Sequence, residues 1–118
     1  MNKRKTLLIV DNNKDLREQI THFFSSKGHE VMQADNGKEA LSLSIMRNID
    51  TLILRGELPE LTGYDLATIV RRISPNIHII LLLDKEFNVN GIQSNKTDFF
   101  DYLEEPFDLD KLNQKVLG

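Results

Sequence analysis

Short apolar runs that favour β-structure alternate with amphipathic helical patterns along the chain, and this alternation limits the folds open to it. The predicted strands are Thr6–Val10, Glu30–Ala34, Asp50–Leu54, Ile77–Leu83 and Phe99–Leu103. Strands that alternate with helices are typical of parallel sheets, with right-handed crossovers and helices on both faces. We therefore predict an α/β fold, a doubly wound sandwich built on five parallel strands.

The helical patterns differ in strength. Asn13 caps the first predicted helix, which runs to Lys27, and Gly28 ends it. Asp108 caps the last helix. Between the fourth and fifth strands, residues 84–98 are rich in poor helix formers, so a short or distorted fourth helix is expected there.

Composition narrows the class of protein. The 118 residues suit one domain, 1–118, and no apolar run is long enough to span a membrane, so we expect a cytoplasmic protein. The chain has no cysteine, which excludes disulfides and thiol nucleophiles, and its three histidines lack ligand spacing. A net charge of -3 argues against nucleic acid as a partner of this domain.

In a doubly wound sheet, the functional site lies beyond the carboxyl ends of the strands. The stretch from Asp50 to Gly63 is an apolar run that stops at a charge, Arg55, and continues as a loop carrying Pro59. It reads as a buried strand that delivers Arg55 into the cleft. The residues expected at this edge are Asp11, Asn12, Arg55, Glu57, Leu83, Asp84 and Glu105.

Several motifs resemble the receiver domain of bacterial response regulators. They are Leu8-Ile9-Val10-Asp11-Asn12, Asp35-Asn36-Gly37-Lys38-Glu39-Ala40-Leu41, Leu58-Pro59 through Gly63, and Tyr102-Leu103-Glu104-Glu105-Pro106-Phe107. The resemblance covers essentially every element. It implies the CheY-like, flavodoxin-like topology, a five-stranded parallel sheet of order 2-1-3-4-5, and a role in two-component phosphorelay signalling.

The family transfers a phosphoryl group from a histidine kinase to an aspartate at the end of strand three, with a magnesium ion, a Thr or Ser and a Lys assisting. By this resemblance, Asp11 is kept from the acidic pair, but its partner position is Asn12. The phosphorylated position is Arg55, the hydroxyl position is Leu83 and the lysine position is Glu105. Arginine has no acceptor oxygen, so the usual phosphotransfer is chemically impossible here.

We therefore predict a degenerate receiver in which Arg55 faces Glu105, with Asp11 and Glu57 nearby. The guanidinium would gather these carboxylates by charge-assisted hydrogen bonds, and the cleft would need neither magnesium nor another cofactor. The alternative is that Arg55 extends into solvent without a partner.

Two aromatic residues belong to the predicted interaction surface. Tyr102 matches the strand-five aromatic that, in receivers, changes rotamer on activation; the alternative is an ordinary amphipathic aromatic at a strand edge. Phe99 stands where the family has a small residue, so this surface is expected to be reshaped.

The bond between Glu105 and Pro106 resembles a cis Lys-Pro bond of the family and is expected to be cis.

The leading functional hypothesis is a non-enzymatic, phosphorylation-independent module that binds proteins through the fourth helix, fifth strand and last helix. Its partner would be an effector domain, a sensor kinase or a second copy, as a homodimer. One alternative is a flavodoxin-like ligand-binding or enzymatic domain, which would need a phosphate-cradling loop after strand one. Another is a receiver switched by a different ligand or modification.

Overall fold

The computed structural model describes residues 4–84 and 100–118. The elements are β1 Thr6–Val10, α1 Lys14–Ser26, β2 Glu30–Ala34, α2 Gly37–Met46, β3 Thr51–Arg55, α3 Gly63–Ile73, β4 His78–Leu83, β5 Asp101–Glu104 and α4 Leu109–Leu117. All neighbouring strands pair in parallel, in the order β2-β1-β3-β4-β5. The predicted α/β fold and strand order are confirmed. Apart from Asp84, the predicted fourth helix lies outside the described residues, as does Phe99.

Each face of the sheet carries its own hydrophobic core, because strand side chains alternate between the two faces. The face covered by α1 and α4 buries Leu7, Ile9, Ile53, Ile80 and Leu82 from the strands, with Ile20, Phe24, Leu112 and Val116 from the helices. The face covered by α2 and α3 buries a second set that includes Leu8, Val10, Leu52, Leu54, Ile79, Leu81 and Leu83. Helices therefore cover both faces, as predicted.

The helix starts follow the sequence signals. The side chain of Asn13 accepts a hydrogen bond from the N–H of Leu16 at 3.1 Å, and that of Asp108 accepts one from the N–H of Lys111 at 2.8 Å. After α1, Gly28 adopts φ 95°, a left-handed conformation that favours glycine. None of the helices in the described residues has the length and apolar character needed to cross a membrane.

Three strands differ slightly from prediction, and β4 begins one residue later than expected, at His78. β3 begins and ends one residue later, because the Asp50 carboxylate accepts a hydrogen bond from the N–H of Thr6 at 2.8 Å while Arg55 pairs with Leu82 in the sheet. β5 begins at Asp101, so Phe100 precedes it. The Arg55 backbone is therefore part of the sheet, and its side chain leaves from a strand.

Gly63, the first residue of α3, lies against the backbone at the end of β3. Its N–H donates to the carbonyl of Gly56 at 2.9 Å. A Cβ atom on Gly63 would lie 2.1 Å from the carbonyl oxygen of Arg55, far inside van der Waals contact. Only glycine allows this approach, and the approach fixes the peptide from which Arg55 projects.

We expect Gly63→Ala to lower the free energy of unfolding by about 2 kcal/mol or more, because the added methyl group meets backbone rather than a movable side chain. Urea denaturation measures the change. Gly37→Ala is the matched control, since Gly37 also begins a helix and its Cβ would meet a Leu61 methyl group at 3.4 Å. That control should stay within about 0.5 kcal/mol. Equal losses for the two variants would show that the α3 approach is not tight.

Candidate functional site

Charged side chains continue the α1/α4 face of the sheet at the carboxyl ends of four strands. Each lies two residues after a side chain packed in the core of that face: Asp11 after Ile9, Arg55 after Ile53, Asp84 after Leu82, and Glu105 after Leu103. Because strand side chains alternate with a period of two, the same face that is apolar inside the sheet becomes ionic at its carboxyl edge.

The Arg55 guanidinium lies among the three carboxylates. Its Nη2 donates to both oxygens of Asp84, at 2.8 and 2.9 Å. Its Nη1 lies 3.4 Å from Oε1 of Glu105 and 3.9 Å from Oδ2 of Asp11. The Arg55 side chain is 20% exposed, so it is held inside the cleft rather than extended into solvent.

Asp11 is the most deeply buried member of the cluster. Its Oδ1 accepts the N–H of Asn13 at 2.8 Å, whereas Oδ2 is buried and has no hydrogen-bond partner. Arg17, from α1, donates through Nη1 to the backbone carbonyl of Asp11 at 2.7 Å. Burial raises the pKa of the Asp11 carboxyl, and the hydrogen bond from Asn13 and the charges of Arg55 and Arg17 oppose that rise.

Glu105 is held by its backbone at the end of β5. Its N–H donates to the carbonyl of Leu83 at 2.7 Å, and its peptide bond with Pro106 is cis, as predicted. Burial raises the pKa of the Glu105 carboxyl to about 7, helped by a hydrogen bond with the Asp84 carboxyl, while Arg55 acts against the rise. Glu105 therefore changes charge near neutral pH.

The predicted partners of Arg55 need two corrections. Its shortest bonds go to Asp84 rather than to Glu105. Glu57 is exposed and forms no ion pair with Arg55, although both residues are described. β3 has ended at Arg55, so strand alternation no longer directs Glu57 towards the cluster.

Other predicted site residues lie outside the ionic cluster. Asn12 and Glu57 are exposed and, with Arg55, line a shallow cavity of about 310 Å³. Leu83 points to the opposite face and is 1% exposed in the α2/α3 core. Tyr102 lies on β5 with 38% of its surface exposed. Phe99 lies outside the described residues, so its predicted contribution has no structural counterpart here.

Asp84 was expected at this edge of the sheet from the sequence, but it was not predicted as a site residue. The signal that would have found it is the alternation of side chains along β4. Ile80 and Leu82 belong to the α1/α4 core, so Asp84 continues that face, whereas Leu83 cannot.

A model of the response regulator receiver domain matches residues 7–117. The chain belongs to this family. Over 105 residues it is 33% identical to the phosphate regulon transcriptional regulatory protein PhoB of Pseudomonas aeruginosa, a match that covers 87% of this chain and 46% of that protein. The chain therefore spans less than half the length of that relative.

Solved structures of response regulators have the same fold as this chain. A putative response regulator from Chloroflexus aurantiacus superposes with a TM-score of 0.85 at 31% identity, covering 97% of this chain and 95% of that one. The chemotaxis response regulator CheY4 of Vibrio cholerae gives a TM-score of 0.85 at 26% identity, covering 97% of each chain. The CheY-like, flavodoxin-like fold predicted from the motifs is confirmed.

Magnesium, which the chemistry of receiver domains implies, does not fit these residues. The three carboxylates all lie within 3.9 Å of a guanidinium nitrogen of Arg55, and a metal ion placed among them would meet that positive charge. In the part of the chain that the structure describes, no group of three or more His, Cys, Asp or Glu is arranged to hold a metal ion.

We expect Arg55→Met to lower the free energy of unfolding at neutral pH by about 2 kcal/mol, below the range for fully buried pairs. The apolar stem is kept, but the carboxylates lose their common cation. The loss should shrink at about pH 5, where Glu105 binds a proton in the folded protein. Urea unfolding at several pH values measures this loss, and salt is left out because it would screen the charges.

The matched control is Arg47→Met, which removes a cation from an exposed pair. Arg47 Nη2 lies 2.6 Å from Oε2 of Glu30, but the two side chains are 48% and 39% exposed. The control should cost less than about 0.5 kcal/mol. If Arg55→Met costs no more than this control, the strand-end cluster does not order the site.

Proposed function

We propose that this receiver domain works without phosphoryl transfer at its strand-end site and acts by binding other proteins. One observation carries the proposal: Arg55, at the end of β3, is bonded to Asp84 at 2.8 and 2.9 Å. In the receiver family that the motifs resemble, the phosphorylated aspartate stands at this position. A guanidinium stays cationic and offers no oxygen on which an acyl phosphate could form.

Three further positions support the proposal. Asn12 replaces one member of the acidic pair, and Leu83, without a hydroxyl group, is buried in the α2/α3 core. Glu105 brings a carboxylate where the family resemblance expects a lysine. A phosphoryl group here would be repelled by Glu105 instead of neutralised.

The proposed interaction surface consists of the predicted fourth helix, β5 and α4. Tyr102, the exposed aromatic residue of β5, is the residue that supports it. Partners on this surface would be an effector domain, a sensor kinase or a second copy of the chain. We propose a single domain over residues 1–118, in the cytoplasm, that binds no nucleic acid itself; its net charge of -3 supports the last point.

The flavodoxin-like ligand-binding alternative gains no support from the turn after β1. A phosphate there would need free backbone N–H groups and no negative charge nearby. Instead, the N–H of Asn13 is taken by the buried Asp11 carboxylate.

The first test is incubation of the wild-type chain with acetyl phosphate and magnesium, followed by intact-mass measurement. The expected result is no gain of a phosphoryl group. The exchange variant Arg55→Asp with Glu105→Lys restores the family's two charged positions; if it also takes no phosphate, Asn12 and Leu83 limit the reaction too.

The positive control is the variant in which Asn12→Asp, Leu83→Thr and Asp84→Ala are added to that exchange. The last change removes a carboxylate that would repel the new phosphoryl group. This variant should gain one phosphoryl group per chain when magnesium is present. A phosphoryl group on the wild-type chain would contradict the proposal.

We expect the wild-type chain to form a weak homodimer, and Tyr102→Glu to weaken it at least tenfold, because the new charge would lie in the contact. Sedimentation velocity over a range of concentrations measures the dissociation constant. Ile45→Glu is the control, since Ile45 is 68% exposed on α2, outside the proposed surface. Equal weakening by both variants would contradict this choice of surface, and a strictly monomeric wild type would remove self-association from the proposal.

A further inference from the structure

Negative groups outnumber the positive group that faces them at the end of the sheet. Asp11, Asp84 and Glu105 carry three carboxylates, and the Arg55 guanidinium is the cation placed among them. Fully ionised, the four groups have an excess of two negative charges. Arg17 adds positive charge near Asp11, but its Nη1 is bonded to the backbone carbonyl of Asp11 and it forms no ion pair with the three carboxylates among the described residues.

The guanidinium is shared unequally between these carboxylates. Both short bonds, at 2.8 and 2.9 Å, go to Asp84, whereas Glu105 is left with a single contact of 3.4 Å. Asp84 and Glu105 thus contact the two neighbouring terminal nitrogens of one guanidinium. Burial, followed by a hydrogen bond between the two carboxyl groups, raises the pKa of Glu105. Two ionised carboxylates are both acceptors, so such a hydrogen bond needs a proton between them.

We propose that Asp84 and Glu105 share one exchangeable proton, and that this carboxyl pair is a pH-responsive input of the domain. The inference deepens the proposed function and rests on the part of it that keeps Arg55 in the cleft. In the protonated state, Glu105 donates to the Asp84 carboxylate. On deprotonation the proton passes to solvent, the hydrogen bond breaks and two negative charges face each other.

The charged groups that face Glu105 come from the other strands at this edge: Asp11 after β1, Arg55 of β3 and Asp84 after β4. The two carboxylates favour the neutral form of Glu105, as does burial, and the guanidinium favours the charged form. The balance leaves the pKa of Glu105 at about 7. Small changes in pH near neutrality therefore change the charge of the cleft.

Glu105 also joins this change in charge to the proposed interaction surface. It directly follows β5, the strand that carries the exposed Tyr102. In the protonated state, Asp84 holds both Arg55 and Glu105. In the deprotonated state, Glu105 competes with Asp84 for the guanidinium, so the end of β5 experiences a different set of contacts.

The test is a carbon-detected NMR titration of the side-chain carboxyl groups in the full chain, over roughly pH 4 to 9. Glu105 should titrate with a midpoint of about 7. Asp84→Asn should lower the proton affinity of Glu105 at least tenfold. Glu104→Gln, at the neighbouring exposed carboxylate, should leave that affinity unchanged.

Global stability is a poorer readout, because His29 gives a pH dependence of opposite sign. Burial lowers the pKa of His29 below 6.5, so its stabilising contribution is complete above that pH and declines as pH falls. For Glu105 the folded-state pKa is raised from 4.5, so stability declines as pH rises towards about 7. The site-specific titration separates the two groups.

Two outcomes would overturn the shared proton: a Glu105 midpoint near 4.5, or a midpoint that Asp84→Asn leaves unchanged. If either occurs and the wild-type chain still takes no phosphoryl group from acetyl phosphate, the proposed function stands and only this inference fails. If Glu105 titrates as expected but the chain is phosphorylated, the proposed function fails and the proton site stands.

Discussion

The arrangement of the strand ends depends on one guanidinium that contacts three carboxylates from three other strands. Arg55 connects the ends of β1, β3, β4 and β5 through Asp11, Asp84 and Glu105. The net stabilisation is modest, because taking these charges from water offsets much of their attraction. Removing one partner is another matter: it leaves a buried charge unpaired, Asp11 above all, whose Oδ2 already lacks a hydrogen bond. The cluster thus selects one geometry of the sheet edge more than it adds stability.

That geometry follows from the sheet itself. The ladder continues one step past Arg55, since the N–H of Gly56 donates to the carbonyl of Leu82 at 2.8 Å. This bond and the close approach of Gly63 fix the Arg55 backbone on both sides. Given that backbone, strand alternation turns the side chain towards the α1/α4 face, where Asp84 and Glu105 also point. The cluster needs no long loop to assemble it, because the strand ends themselves position its side chains.

The sequence was sufficient for the fold, because alternating strands and helices, caps at Asn13 and Asp108, and the family motifs all indicate the same sheet. It was less sufficient for the site. Correspondence with family positions led to Glu105 as the partner of Arg55 and passed over Asp84, which has no role in that correspondence. The alternation of side chains along β4 would have identified Asp84, because it lies two residues after Leu82 and so on the same face. The prediction that Glu57 lies near Arg55 was wrong for a related reason. Glu57 follows the end of β3, where side chains no longer alternate between the two faces of the sheet.

A receiver that binds a removable cation and a phosphoryl group can be switched because those ligands bind its states with different affinities. A cation that belongs to the chain is present in every state, so it shifts no equilibrium by arriving or leaving. Under the proposed function, regulation must then come from species that do exchange, which here are a protein partner and a proton. Both act on the same element: Tyr102 lies on β5 and Glu105 directly follows it. By linkage, a partner that prefers one charge state of Glu105 must change the affinity of the site for the proton by the same factor.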